Sequence, residues 1–111
     1  MAKRRTSSKW RRYEGLLPLR FNDGREVPSA YVAEAVLEVV ERFAAASYET
    51  QTIEGHWRHG GVVNRDELVR IVVDVPETAA NRNWMRQFKA CWKAKLEQLE
   101  LWMISYRIEL D

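Results

Sequence analysis

The order in which apolar patterns follow one another most constrains the fold of this chain. Alternating and helical periodicities predict the succession strand, helix, strand, strand, helix, strand within 111 residues. This succession is typical of the split βαβ, or ferredoxin-like, unit, in which two helices cover one face of a four-stranded antiparallel sheet. We therefore expect an α+β, ferredoxin-like fold. Because that fold supports enzymes, RNA binders, regulators and assembly modules, the order alone does not identify a function.

The two helices have the clearest periodicity. The first is predicted to begin with Ser29 as its N-cap and to end near Ser47, and the second to cover residues 78–98. Each has an apolar stripe that we expect to face the sheet. The stripe of the first helix is Val32, Ala33, Val36, Leu37, Val40, Phe43 and Ala44, and that of the second is Trp84, Met85, Phe88, Cys91, Trp92, Leu96 and Leu99.

Four segments alternate as strands do: residues 13–21, 48–57, 62–75 and 101–110. Pro18 lacks a backbone N–H, so we expect a bulge or a later strand start there. His59-Gly60-Gly61 predicts a tight hairpin, and residues 64–67 predict a bulge or a longer loop in the strand that follows it. The alternation assigns these strand residues to the core: Leu17, Leu19, Phe21, Val69, Ile71, Val73, Trp102, Ile104, Tyr106 and Ile108.

The same alternation assigns Arg20, Arg70 and Arg107 to the uncovered face of the sheet, together with Val72 and Met103. Three guanidinium groups on one surface are suited to an anionic ligand, although pairing with neighbouring carboxylates explains them equally well. The apolar residues on this face favour a cover. We expect that cover to be a second copy of the chain, which gives a homodimer.

Positive charge is concentrated at the start of the chain. Residues 1–12 hold six basic residues and no acidic one, whereas the remaining residues hold 12 basic and 16 acidic ones. We therefore expect a flexible basic tail over residues 1–12 and one domain over residues 13–111. The tail and a basic ridge on the second helix could bind nucleic acid or an acidic protein, or could simply be solvated. The candidate residues are Arg4, Arg5, Arg11, Arg12, Arg82, Arg86, Lys89 and Lys93.

The predicted hairpin contains the densest group of chemically versatile side chains, namely His56, Trp57 and His59. In a strand, residues three apart point to opposite faces, so the two histidines are poorly placed to share a metal ion. No nucleophile accompanies them at a motif spacing, and no cofactor-binding motif is present. We therefore predict no catalytic residue, metal or cofactor, and we retain a histidine base at this hairpin as a weaker alternative.

The chain lacks the features of exported and membrane proteins. No stretch approaches the roughly 20 apolar residues needed to span a bilayer, and no apolar segment follows the basic start. Its one cysteine, Cys91, is compatible with a reducing compartment. We expect a cytoplasmic protein that does not bind membranes.

Two segments, residues 16–24 (LLPLRFNDG) and residues 49–58 (ETQTIEGHWR), resemble parts of small bacterial proteins of unknown function. Over residues 13–110 the layout resembles ferredoxin-like and dimeric α/β-barrel proteins. That resemblance implies a dimer, and the dimeric barrels include monooxygenases and isomerases. No catalytic residue of those families has a counterpart in this sequence.

The first functional expectation is a non-enzymatic interaction or regulatory module that is homodimeric through its sheet face. The second is an accessory protein that binds nucleic acid through the basic tail and the ridge, with the steep salt dependence that such contacts produce.

Overall fold

The computed structural model of the protein describes residues 9–49 and 52–111. Their elements are β1 (Trp10–Pro18), α1 (Ser29–Phe43), β2 (Ser47–Tyr48), β3 (Ile53–His59), β4 (Val62–Pro76), α2 (Ala79–Lys95) and β5 (Met103–Ile108). The strands form one antiparallel sheet, and the buried side chains of both helices join those of one of its faces in a single core. The α+β prediction is confirmed. The described residues form five strands rather than four.

The long strand β4 organises the sheet. Its second half pairs with β1, from Pro18 opposite Leu68 to Trp10 opposite Pro76, and β1 in turn pairs with β5. On its other side β4 pairs with β3 through its first half and with β2 near Ile71. The predicted second strand is therefore divided into β2 and β3 along one edge. The predicted interruption at residues 64–67 is wrong, because β4 runs through them without a break.

The first strand lies three residues earlier than predicted at both ends. Pro18 is its last residue, where the missing N–H removes little from the ladder, so neither a bulge nor a later start is needed. Arg11 and Arg12, which we assigned to the tail, instead lie within β1. Arg4 and Arg5 lie outside the residues that the structure describes.

The hairpin between β3 and β4 extends beyond the rest of the sheet. Gly60 and Gly61 form its turn with φ values of 59° and 79°, the positive values that a two-residue hairpin turn favours. The pairing of β1 with β4 stops at Leu68. Residues 53–59 and 62–67 therefore form a two-stranded projection, which we call the arm, and the molecule measures 62 × 29 × 24 Å.

Both helices pack on the sheet, and each differs from its prediction in detail. Pro28, rather than Ser29, is the N-cap residue of α1, and the helix ends at Phe43, where Ala44 adopts a left-handed conformation with φ 69°. Its fully buried residues are Ala35 and Val39, so the buried face is rotated from the predicted stripe and Leu37 is exposed. In α2, Thr78 caps the first turn through its side chain, and Cys91 and Leu99 of the predicted stripe are exposed.

The direction of the β5 side chains is opposite to that predicted. Cross-strand partners share a face, and buried Tyr13 lies opposite both Val73 and Ser105. Odd-numbered residues of β5 therefore face the helices, and Ile104 and Tyr106 face away from them. The alternation assigned the more apolar set to the core. The direction of the β5 side chains is instead decided by the register in which β5 pairs with β1. The sequence of β5 alone does not reveal that register.

Candidate functional site

The face of the sheet turned away from the helices, which we call the open face, carries a broad apolar surface. Three of its side chains are substantially exposed: Trp102 (61%), Ile104 (40%) and Tyr106 (40%). The strand registers place further apolar residues on the same face, namely Trp10, Leu16, Leu68, Val72 and Ile108. Four residues predicted for the core, Trp102, Ile104, Tyr106 and Ile108, thus lie on the open face.

The charged groups of the open face are paired with one another. Arg12 donates two hydrogen bonds to Asp74, at 2.8 and 3.0 Å, and this pairing raises the pKa of its guanidinium. Arg70 lies 2.8 Å from Glu49 and 3.4 Å from Glu14.

A hydrogen bond also joins two of these open-face strands. The Tyr106 hydroxyl donates to the carboxylate of Glu14, and this bond raises the pKa of Tyr106 above its usual value. The polar groups of the face are therefore held by internal contacts.

The predicted surface of three arginines does not form. Arg70 and Val72 are on the open face, but Arg107 and Met103 are on the face that carries the helices, because of the β5 register. Arg20 lies beyond β1 in an isolated bridge with Glu26. The structure therefore separates these three guanidinium groups.

A different group of arginines meets at Glu77, between β4 and α2. Glu77 Oε1 lies 2.6 Å from Arg11 Nη2 and 3.3 Å from Arg82 Nη2, and Oε2 lies 2.9 Å from Arg107 Nε. The Glu77 side chain is only 14% exposed. The hydrogen bond from Arg11, together with the charges around it, lowers the pKa of Glu77. Three cations around one anion leave this part of the surface positive.

The predicted basic ridge lies on α2 next to this group. Arg82, Arg86 and Lys89 line a groove of about 200 Å³ between α2 and β5, whose other wall includes Ser105. Lys89 is 3.2 Å from Glu100, which neutralises part of the ridge. Lys93 is in the last turn of the helix. Arg11 lies close to the basic ridge, because it is hydrogen-bonded to Glu77, which also contacts Arg82. Arg12 is hydrogen-bonded to Asp74 on the opposite face of the sheet.

The hairpin residues lie on the arm. His56 Nε2 is 2.8 Å from Glu54 Oε2, and that contact lowers the pKa of Glu54. The ring of His59 lies beside that of Trp57, with centroids 6.2 Å apart. Within residues 9–49 and 52–111, no three His, Cys, Asp or Glu side chains are grouped to hold a metal ion.

A cleft lies where the arm joins the body of the sheet. Its volume is about 310 Å³. Leu16, Pro18 and Leu68 form one wall, and the tryptophans Trp57 and Trp102 contribute from the arm and from the residue before β5. The connection between α2 and β5 completes it with residues 98–101. We call this the cleft.

One carboxylate of the cleft is tied to the tryptophan of the arm. Trp57 Nε1 donates a 2.6 Å hydrogen bond to Asp66 Oδ2. Gly55 lies opposite Asp66, and a β-carbon at position 55 would stand 2.8 Å from Leu68 Cδ1. Sequence reasoning missed Asp66 and Trp102, because one was assigned to a loop and the other to the core. No periodicity within residues 62–68 marks Asp66, whose position follows from the pairing of β3 with β4.

Among the helices formed by the residues that the structure describes, neither α1 nor α2 has the length and apolar character to cross a bilayer.

No protein-family model and no curated protein sequence matches this chain. Solved structures do match it in shape. A phage SAM lyase in complex with S-methyl-5'-thioadenosine has a TM-score of 0.66 at 12% identity, covering 99% of this chain and 96% of that chain. CutA1 from Oryza sativa has a TM-score of 0.66 at 13% identity, covering 96% and 86%.

A Bacillus cereus protein related to NIF3 has a TM-score of 0.65 at 10% identity, and the match covers 96% of this chain but 27% of that protein. At such low identity these likenesses concern the fold alone. They show that the chain folds as a small α+β protein.

Proposed function

We propose that this protein is a non-enzymatic interaction or regulatory module of the ferredoxin-like class, which forms a homodimer through its open face. The single observation that supports it most is the apolar surface around Ile104, Tyr106 and Trp102, which a lone sheet covered on one side rarely leaves in water. The strand order β2-β4-β1-β5 supports the ferredoxin-like assignment. A cytoplasmic location accords with the single cysteine, Cys91.

The charges of the open face support a second copy as its cover. Arg12 is matched by Asp74, and Arg70 by Glu14 and Glu49, so two cations and three anions leave the centre of the face with a net charge of only −1. Two copies of this surface can approach without strong repulsion. A strongly charged partner would gain little there, whereas a two-fold pairing places each apolar patch against its own equivalent.

The test is the mass of the protein in solution, measured by light scattering at micromolar concentrations. We expect the mass of two chains, and we expect Ile104→Glu to reduce it to one, because the substitution buries a charge in the interface. Leu37→Glu is the matched control, since Leu37 is 55% exposed on α1, away from the open face. A single-chain mass for the unmodified protein contradicts the proposal.

The arginines around Glu77 favour a second candidate function, the binding of nucleic acid through the positive surface of α2. Arg11, Arg82 and Arg107 share one carboxylate, and Arg86 lines the adjoining groove. Arginine recognises phosphate oxygens through paired N–H donors. This surface is on the opposite side of the sheet from the open face, so both functions are compatible in one molecule.

Electrophoretic mobility shifts at two salt concentrations test this candidate. We expect binding to weaken steeply with salt, and to weaken about tenfold in the double variant Arg86→Gln/Lys93→Gln. Arg12→Gln removes a cation from the other face and is the control. Absence of a mobility shift at low salt, or an equal loss of affinity in Arg12→Gln, contradicts nucleic-acid binding. Binding of an acidic protein but not of nucleic acid would show instead that this surface recognises acidic proteins.

A further inference from the structure

We propose that the cleft binds a small organic cation, held by the carboxylate of Asp66 and by the faces of Trp57 and Trp102. The cleft shares Leu16, Leu68 and Trp102 with the apolar surface of the open face, so the site is tested in the Ile104→Glu background, in which self-association is expected to be lost. Nucleic-acid binding concerns the opposite face of the sheet. The cleft's volume of about 310 Å³ is within the range of sites for small molecules.

The charge of the lining selects the sign of the ligand. Asp66, Glu100 and His56 are the titratable residues that line the cleft, and neither lysine nor arginine is among the described residues that do so. The His56 ring is held by Glu54, 2.8 Å away, and not by Asp66. Glu100 is compensated, because Lys89 lies 3.2 Å away and the Leu101 N–H donates to it. Asp66 is half-buried, and among the residues that the structure describes no lysine, arginine or histidine forms an ion pair with it. A half-buried carboxylate without a counter-charge favours a cation at its free oxygen.

The tryptophans select the type of cation. The Trp57 indole donates to Asp66, so its ring is fixed beside the carboxylate. Trp102 contributes a second indole that is 61% exposed. An aromatic face attracts an organic ammonium group through its quadrupole, most strongly when the aromatic residue is tryptophan. The apolar wall of Leu16, Pro18 and Leu68 suits the hydrocarbon part of such a ligand.

A metal ion fits this cleft poorly. Hard cations require several oxygen ligands. One carboxylate oxygen of Asp66 already accepts the Trp57 N–H, so Asp66 offers only its other oxygen to a metal ion. The wall opposite is hydrocarbon. The chemistry of the lining therefore points to an ammonium ion that carries apolar substituents.

Two probes of the same shape test the proposal by calorimetry and by the amide and indole N–H signals in NMR spectra. The cation is para-hydroxyphenyltrimethylammonium, and its neutral counterpart is para-tert-butylphenol. We expect the cation to bind at least about fivefold more tightly, and to shift the indole signals of Trp57 and Trp102, because the two probes differ only in charge at the quaternary centre.

Two variants assign the effect to named groups. Asp66→Asn is expected to weaken the cation about tenfold while changing the neutral probe little, and Trp102→Leu is expected to weaken the cation about threefold. Glu67→Gln is the matched control, since Glu67 is exposed and faces the other side of β4. Equal affinity for the two probes, no binding of the cation at millimolar concentration, or an equal effect of Glu67→Gln would each overturn the proposal.

Discussion

Met103 on β5 lies directly opposite Gly15 on β1, and a β-carbon at position 15 would stand 3.1 Å from the Met103 methyl group. The absence of a side chain at Gly15 gives the methionine its place against the core. The pair belongs to the β1–β5 register, and in that register Ile104 and Tyr106 face the open side of the sheet.

Gly15→Ala should therefore destabilise the protein by about 1 kcal/mol or less, because the added methyl group crowds the flexible end of the half-buried Met103 side chain. Urea unfolding measures the change. Combining the substitution with Met103→Ala, which removes the crowding atom, should give a smaller loss than the sum of the two single changes. Strict additivity would mean that the contact does not limit packing.

Trp92 and Trp102 should respond very differently to truncation. Trp92 is fully buried and its indole N–H donates to Glu38, so Trp92→Ala should cost about 3–5 kcal/mol. Trp102 is 61% exposed, and Trp102→Ala should stay within about 0.5 kcal/mol when unfolding is followed on dilute protein. A large loss of unfolding free energy in Trp102→Ala under those conditions would indicate that the Trp102 side chain faces the core, as the sequence pattern predicted.

Glu77 should make stability depend on pH. The hydrogen bond from Arg11, followed by the charges of Arg107 and Arg11, lowers the pKa of the folded carboxyl below the usual 4.5. The resulting stabilisation is present above that usual value and is lost as the pH falls through the folded pKa.

Glu77→Gln should consequently lower the melting temperature at neutral pH and reduce the fall in stability on acidification. Thermal unfolding followed between about pH 3 and pH 7 measures both effects. Glu41→Gln, at an exposed position of α1, should leave the profile unchanged. Parallel profiles for Glu77→Gln and the unmodified protein would exclude this contribution.

Tyr106 should ionise late. Its hydroxyl donates to Glu14, which raises the pKa of Tyr106 above the usual 10.0. The stability that this bond contributes is therefore present below pH 10 and is lost as the pH rises through the folded pKa. Absorbance titration of tyrosinate should show a late-ionising component that Tyr106→Phe removes. An unchanged difference spectrum would contradict the bond.

Gly55 should control access to the cleft. A methyl group there would stand 2.8 Å from Leu68 Cδ1, the end of a flexible side chain that lines the cleft. Gly55→Ala should displace Leu68 into the cleft and weaken the cationic probe severalfold, with a stability loss of about 1 kcal/mol or less. Calorimetry and urea unfolding provide the two readouts. An unfolded variant would show instead that the arm's pairing requires glycine.

The sequence was sufficient where a residue's own neighbours in the chain determine its surroundings. Both helices were predicted from their periodicity, and the turn at Gly60 and Gly61 was predicted from the two adjacent glycines. The inward direction of Leu17, Val69, Ile71 and Val73 also followed from alternation, because each of those strands has one clearly more apolar face.

The candidate sites depend on partners far away in the chain. Glu77 gathers Arg11 and Arg107 from the two ends of the sequence, and Asp66 meets the arm's Trp57 only once β3 and β4 have paired. In β5 the more apolar face points outward, so the usual association of apolar residues with the core gave the wrong direction for Ile104. Strand register supplies this information, and no local pattern contains it.

The strand β4 is 15 residues long and runs without a break from the turn of the arm to the centre of the sheet. Towards the turn its one neighbour is β3, whereas past Leu68 it pairs with β1 on one side and, at Ile71 and Val72, with β2 on the other. Two paired strands without a third neighbour resist bending less than a wider sheet, so we expect the sheet to bend most readily near Leu68. We therefore expect that a molecule bound beside Leu68 would change the angle between the arm and the rest of the sheet.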